Sequence, residues 1–269
     1  MPATPPADHH GLVRPWERDR SFILESRPPS PSLERLVDRH WIVHWDLRGR
    51  PPFRQEILPH PSVNLVVEPQ GASVWGVPTC RDVRLLHGQG WAVGTKFKPG
   101  AFTAITGVSA ATITDRSVPV PACLGGMPEP LAIESTDGHR LDAAVTEIER
   151  RLAPSADVRD PALDLVGDVI RSMQDLDPNA RVAQIAARHH IAPRTLQRLF
   201  RRYVGVNPKW VLKRLRIHQA VERLTGPRAV PWTSLALELG YYDHAHFIRD
   251  FRLVVGLSPA EYASEAESA

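Results

Sequence analysis

PRTLQRLFRRYVGVNP, residues 193–208, and HAHFIRDFRLVVGLSP, residues 244–259, are two copies of one sequence unit. Leu196, Arg198, Phe200, Gly205 and Pro208 recur as Phe247, Arg249, Phe251, Gly256 and Pro259, each pair offset by the same 51 residues. Before each copy lies a short apolar segment, Ile185-Ala186 in one and Leu235-Ala236 in the other. Chance gives one or two such matches; five in register indicate a repeated structural unit.

Each unit reads as helix, tight turn, helix. In the first, Val182, Ile185 and Ala186 form a short apolar face, and His189-His190-Ile191 makes the turn. Pro193 suits the first position of the next helix, where its missing N–H costs nothing. On that helix Leu196, Leu199, Phe200 and Tyr203 form an inward stripe. Arg194, Gln197, Arg198 and Arg201 fall at i, i+3, i+4 and i+7 and form an outward one. Such a face suits the major groove: arginine bonds guanine O6 and N7 together, and glutamine does the same with adenine N6 and N7. Arg201, at the end of this stripe, and Arg202 beside it suit phosphates. In the second unit, Gly240 stands where a helix end needs positive φ, and Asp243 is an N-cap for the next helix. Phe247 and Phe251 point inward, while His244, His246 and Arg249 lie on the first turns, the part of a recognition helix that reaches base edges.

Between the copies, Pro208 to Leu224 reads as one helix, long enough to hold two recognition helices about one DNA turn apart, roughly 34 Å. Charge agrees. From Asp177 to Leu257 there are 14 Arg and Lys against 5 Asp and Glu, on a chain whose net charge is only +3. A positive block on an otherwise mildly acidic chain is a footprint for a polyanion.

Ahead of this lies a different texture. Residues 21–125 read mainly as strands and turns. Trp41 to Leu47 roughly alternates, Val63 to Val67 is a short buried-type run, and turns fall at Arg50-Pro51-Pro52, Pro69-Gln70-Gly71 and Lys98-Pro99-Gly100. From His139 the period changes: Leu141, Ala144, Val145, Ile148 and Leu152 share a helical face, and a second helix is expected over about Pro161 to Met173. The expected architecture is α+β. A disordered, Pro-rich stretch over 1–20 precedes a mainly β, barrel-like sensory or dimerisation domain over 21–155. An all-α domain with two helix-turn-helix units follows over 160–264. The fragment from about Asp160 to Ala269 is expected to fold and bind DNA alone.

The repeat resembles the AraC/XylS family of bacterial transcription regulators over roughly residues 163–264. Ile185-Ala186, Thr195-Leu196-Gln197-Arg198-Leu199-Phe200, Gly205, Pro208, Leu235-Ala236, Gly240-Tyr241, Asp243, Phe247, Arg249, Phe251, Gly256 and Ser258-Pro259 carry the likeness. It implies base contacts from Arg194, Gln197 and Arg198 in the first unit and from His244, His246 and Arg249 in the second. His190 stands where the family often has glycine, at a small strain cost. Gly94 to Ala101 and Thr114 to Pro119 resemble an uncharacterised domain that precedes this module in some regulators. The resemblance implies a cytoplasmic regulator with double-stranded operator DNA, RNA polymerase and a small-molecule effector as partners, and a homodimer as a possible assembly. It leaves activation or repression open.

Other chemistries have less support. The two cysteines, Cys80 and Cys123, form no CxxC, so they read as reduced, partly buried thiols rather than a zinc knuckle or an alkyl-transfer centre. His40 and His44 lack a third metal ligand. No GxSxG elbow or HExxH helix appears, and Gly94 to Gly100 lacks the GK[ST] ending of a phosphate loop. Trp41, Trp45, Trp75 and Trp91 read as core packing before an effector pocket. No enzyme activity, cofactor or metal is expected. No run of about 18 apolar residues occurs, and no signal peptide opens the chain.

Overall fold

A computed structural model describes residues 11–14, 16, 21–120, 124, 138–175, 180–225 and 230–268. Among the described residues, eight strands belong to the front domain: β1 (Ile23–Arg27), β2 (Val37–Leu47), β3 (Phe53–Ile57), β4 (Asn64–Glu68), β5 (Gly71–Trp75), β6 (Asp82–Leu86), β7 (Gly88–Phe97) and β8 (Ser117–Pro119). Six of them make one antiparallel sheet in the order β1-β2-β7-β4-β5-β8; β3 and β6 pair separately. The two end strands of the large sheet do not pair with each other, so the expected barrel is an open one.

Pairing register sorts the side chains. His40, Ile42, Leu65, Val67, Val74 and Val93 face one side. There they bury against α1 (Ala101–Thr106) and α2 (Gly138–Leu152), through Phe102, Leu141, Ala144, Ile148 and Leu152. Helix α2 forms because its apolar residues recur every three or four positions and so line one face. The opposite side carries Trp41, Val43 and Trp45, which pack with Phe53 and Leu86 of the β3–β6 pair. Trp41 lies against the backbone of Gly94, where an added Cβ would sit 1.9 Å from its ring. Trp91 is in the core, while Trp41, Trp45 and Trp75 are half-buried. Cys80 is exposed, contrary to the expected partial burial; Cys123 lies outside the described residues.

Helix α3 (Pro161–Asp175) joins the two halves. Leu163 enters the front core, whereas Val166, Val169, Ile170 and Met173 enter the first helical core. Six helices follow: α4 (Val182–Arg188), α5 (Pro193–Tyr203), α6 (Pro208–Thr225), α7 (Trp232–Glu238), α8 (His244–Val255) and α9 (Pro259–Glu267). The expectation of disorder over 1–20 does not hold at residues 11–14 and 16. Leu12 bridges Ile57, and Val13 is fully buried among the residues of the last three helices; the remaining positions of that stretch lie outside the described residues. No described helix is long and apolar enough to cross a membrane.

Candidate nucleic-acid interface

The two repeats fold into the same local structure. Helices α4 and α7 each end in a turn closed by matching backbone bonds: Ile191 N–H to Ala186 C=O at 3.0 Å, and Tyr241 N–H to Ala236 C=O at 2.9 Å. Positive φ falls on His190 (55°) in one and Gly240 (71°) in the other. These turn residues are 50 apart, while the following helices keep the 51-residue offset, so the second turn holds one extra residue. That residue lets Asp243 cap α8 by accepting the His246 N–H at 2.7 Å. Helix α5 lacks such a cap and begins with Pro193 instead.

Two separate cores hold the recognition helices. Leu196 and Phe200 of α5 pack with Ile185, Ala186, Val211 and Leu212; Phe247 and Phe251 of α8 pack with Leu235, Ala236, Ile217, Val221 and Leu224. All four inward residues on the recognition helices are fully buried. Helix α6 thus gives its first turns to one core and its last turns to the other. Its 18 residues span roughly 27 Å at about 1.5 Å per residue.

Outward, Arg194, Gln197, Arg198, Arg201 and Arg202 on α5 and Arg249 on α8 are exposed. Arg194, Arg198, Arg201 and Arg249 make no ion pair or hydrogen bond with a described residue. Free guanidinium groups aligned on one helix face attract phosphate and base edges. The two histidines differ. His244 donates from Nε2 to the Thr233 carbonyl at 2.8 Å and sits edge-on to Trp232. His246 places Nε2 3.4 Å from Asp250 Oδ2 and sits edge-on to Tyr241. Asp250 also pairs with Lys213 of α6 at 2.8 Å, tying α8 to the joining helix. Both histidines therefore have partners that these four arginines lack among the described residues.

Two exposed residues beside this surface escaped the reading of the sequence. Lys209, on the first turn of α6, shares an open cleft of about 770 Å³ with Gln197, Arg201 and Trp210. Tyr242, just ahead of the α8 cap, is 91% exposed. The charge count near Arg201 signals Lys209; an aromatic beside an N-cap signals Tyr242 only weakly.

The fold and this surface define a protein with two helix-turn-helix units and an exposed basic face on the first recognition helix. Residues 185–265 match the family described as a helix-turn-helix domain, and residues 25–119 match a domain of unknown function, DUF6597. The chain therefore carries a helix-turn-helix domain at its C-terminal end, behind that front domain. Among solved structures it is similar to the C-terminal domain of AraT, a response regulator from Geobacillus stearothermophilus, at 21% identity, covering 39% of this chain and 86% of that one, with a TM-score of 0.36. It is also similar to ToxT from Vibrio cholerae, at 10% identity, covering 91% of this chain and 98% of that one, with a TM-score of 0.39. The structure of ToxT bound to (E)-4-(8-methylnaphthalen-1-yl)but-3-enoic acid is similar at 12% identity, 91% and 99% coverage, and a TM-score of 0.40. No curated protein matches the chain in sequence.

Proposed function

We propose that this regulator reads two half-sites in successive major grooves of one DNA face, with α5 in the first and α8 in the second. One observation carries the reading. Arg198 and Arg249 hold equivalent places in the two repeats, and both are exposed without a partner among the described residues. Arg194 and Gln197 extend the first reading face, and Arg201 and Arg202 bind the flanking phosphates. His244 and His246 support the second face, held in orientation by Thr233 and Asp250. A DNA duplex presents equivalent grooves about 10.5 base pairs apart, which a helix of α6's length can span.

The front domain is the place for control by a small-molecule effector. It has its own core, and it touches both helix-turn-helix units, so a ligand that alters it is felt at the DNA surface. Selection of preferred sites from random DNA by the full chain tests the first part. Two motifs about one helical turn apart, bound with an affinity that falls steeply with salt, are expected. A single short motif, or binding indifferent to salt, counts against it. A metabolite screen by thermal shift tests the second, since a ligand bound only by the folded state raises its melting temperature. No stabilising compound, together with DNA binding that is constant in cells, leaves the front domain without a sensory role.

A further inference from the structure

The repeated glycines Gly205 and Gly256 end the two recognition helices at positive φ, 93° and 91°. Each is also a point where the front domain docks. Thr114 donates its hydroxyl to the Gly205 carbonyl at 3.0 Å, and a Cβ on Gly205 would lie 2.6 Å from that oxygen. Arg81 donates from Nη1 to the Val255 carbonyl at 3.3 Å, and a Cβ on Gly256 would lie 1.8 Å from the same nitrogen. Between these points Thr79 accepts, on its carbonyl, a 2.7 Å bond from Arg214 of α6. Arg214 is 6% exposed, with its guanidinium carbon 4.7 Å from the Trp210 ring centroid.

These contacts belong to one rigid piece. Thr79 donates its backbone N–H and its hydroxyl to the Asp115 carboxylate at 2.6 and 2.7 Å. Asp115 N–H in turn donates to the Val77 carbonyl at 3.1 Å. The loop after β5 and the turn before β8 are thereby locked together. Val77 is fully buried in the first unit's core, and Arg81 is held by Glu56 of β3 at 3.4 Å. The two units have separate cores, so their relative placement depends on what spans them. Helix α6 is one span; this pair of loops is another, and it touches both units.

We propose that Arg81, Thr79 and Thr114 brace the two helix-turn-helix units, so that the front domain fixes the spacing at which the protein reads its half-sites. Arg81 is a positioning residue: it touches the C-terminal end of α8, away from the exposed N-terminal turns that face DNA. The inference rests on the two-half-site reading and deepens it.

The test is selection of sites from random DNA by the full-length protein and its Arg81→Ala and Thr114→Val variants. Wild type is expected to return one spacing. Arg81→Ala is expected to broaden the spacing while leaving the base preferences inside each half-site unchanged. Its affinity for the wild-type site should fall about two- to tenfold, the scale of one or two interdomain hydrogen bonds. Thr114→Val, which removes only a hydroxyl donor, should broaden the spacing from the other end, and it decides the matter if Arg81→Ala does not fold. Two half-sites with a spacing unchanged in the folded variants would overturn the brace alone. A wild type that selects only one half-site would overturn the two-half-site reading and the brace with it.

Discussion

Tyr262 donates its hydroxyl to the backbone carbonyl of Val13 at 2.8 Å, across 249 residues of sequence. Both side chains are fully buried, and Trp16 packs on the Tyr262 ring with centroids 5.2 Å apart. Leu58 of the front domain enters the same core, and Arg14 joins the cluster by pairing with Glu265 and Glu56, both at 2.9 Å. The second helix-turn-helix unit is therefore completed by residues far outside it.

It follows that the fragment from about Asp160 to Ala269, which the sequence presents as self-sufficient, is weakened in its second half. Val13→Ala in the full chain should cost about 1–3 kcal/mol, the worth of a buried apolar side chain with its cavity. Hydrogen exchange should show the fragment's loss concentrated in α7, α8 and α9, with α4 and α5 less affected. Equal protection of the second unit in the fragment and the full chain would show that the N-terminal segment adds nothing.

Leu196→Ala and Phe247→Ala remove fully buried side chains from separate cores. Each should destabilise its unit, by about 2–5 kcal/mol for the leucine and about 3–5 kcal/mol for the phenylalanine. Because no residue is shared between the cores, the two losses should add to within about 0.5 kcal/mol. Denaturant titration of the single and double variants checks this; strong non-additivity would mean that α6 transmits strain from one unit to the other.

The helical half was largely legible in the sequence because its signals are local. Period and repeat placed α4, α5, α6, α7 and α8, and the positive φ expected at the first turn falls on His190. The front half was legible as strand but not as topology. β2 pairs with both β1 and β7, and β7 starts 41 residues after β2 ends; no local pattern specifies such a pairing. Helix α1 has only six residues, with Gly100 and Gly107 at its two ends, too short for a period to show. The interdomain contacts left the least trace. Thr79, Arg81 and Thr114 are ordinary loop residues in sequence, and Val13 follows a Pro-rich stretch that reads as tail. The outward arginines were legible as a stripe, whereas the bond from His244 to Thr233 needed the neighbouring helix to be seen; the His246–Asp250 pair lies at i, i+4 on α8 itself.

His40 and His60 make stability depend on pH. Burial is the leading cause that holds His40 below the ordinary value of 6.5, although Glu149, 3.2 Å from its Nε2, works the other way. His60 is held well below it, first by burial and then by His218, whose ring centroid is 4.0 Å away, and by Lys96 and Arg39. With both folded values depressed, unfolding takes up protons below about pH 6.5, so stability is full above that value and falls as pH drops. The slope approaches at most about 1.4 kcal/mol per pH unit for each histidine. Thermal unfolding measured between about pH 7.5 and about pH 5.5 should show the fall, and His60→Gln should make it shallower. A slope unchanged by His60→Gln would mean that this ring titrates alike in both states.

The most direct consequence of the repeat concerns Arg198 and Arg249. Each is exposed on its own recognition helix, and neither has a partner among the described residues. If each pairs bidentately with a guanine, Arg198→Ala should cost about 1–3 kcal/mol in binding and relax the preference at one base of the first half-site. Arg249→Ala should do the same in the second half-site only. His244→Ala and His246→Ala should weaken the second half-site less sharply, because part of each ring's bonding is already spent on Thr233 and Asp250. Arg202→Ala should behave differently. Arg202 lies near the C-terminal end of α5, where its carbonyl accepts the Thr103 hydroxyl, and its proposed role is a contact to a DNA phosphate rather than to a base. Its loss should weaken binding to all sequences alike and reduce the dependence on salt by about one phosphate contact. Site selection for each variant, run beside salt titrations, separates these outcomes. Should Arg198→Ala and Arg249→Ala lose preference at the same base pairs, or at none, the two helices do not read separate half-sites.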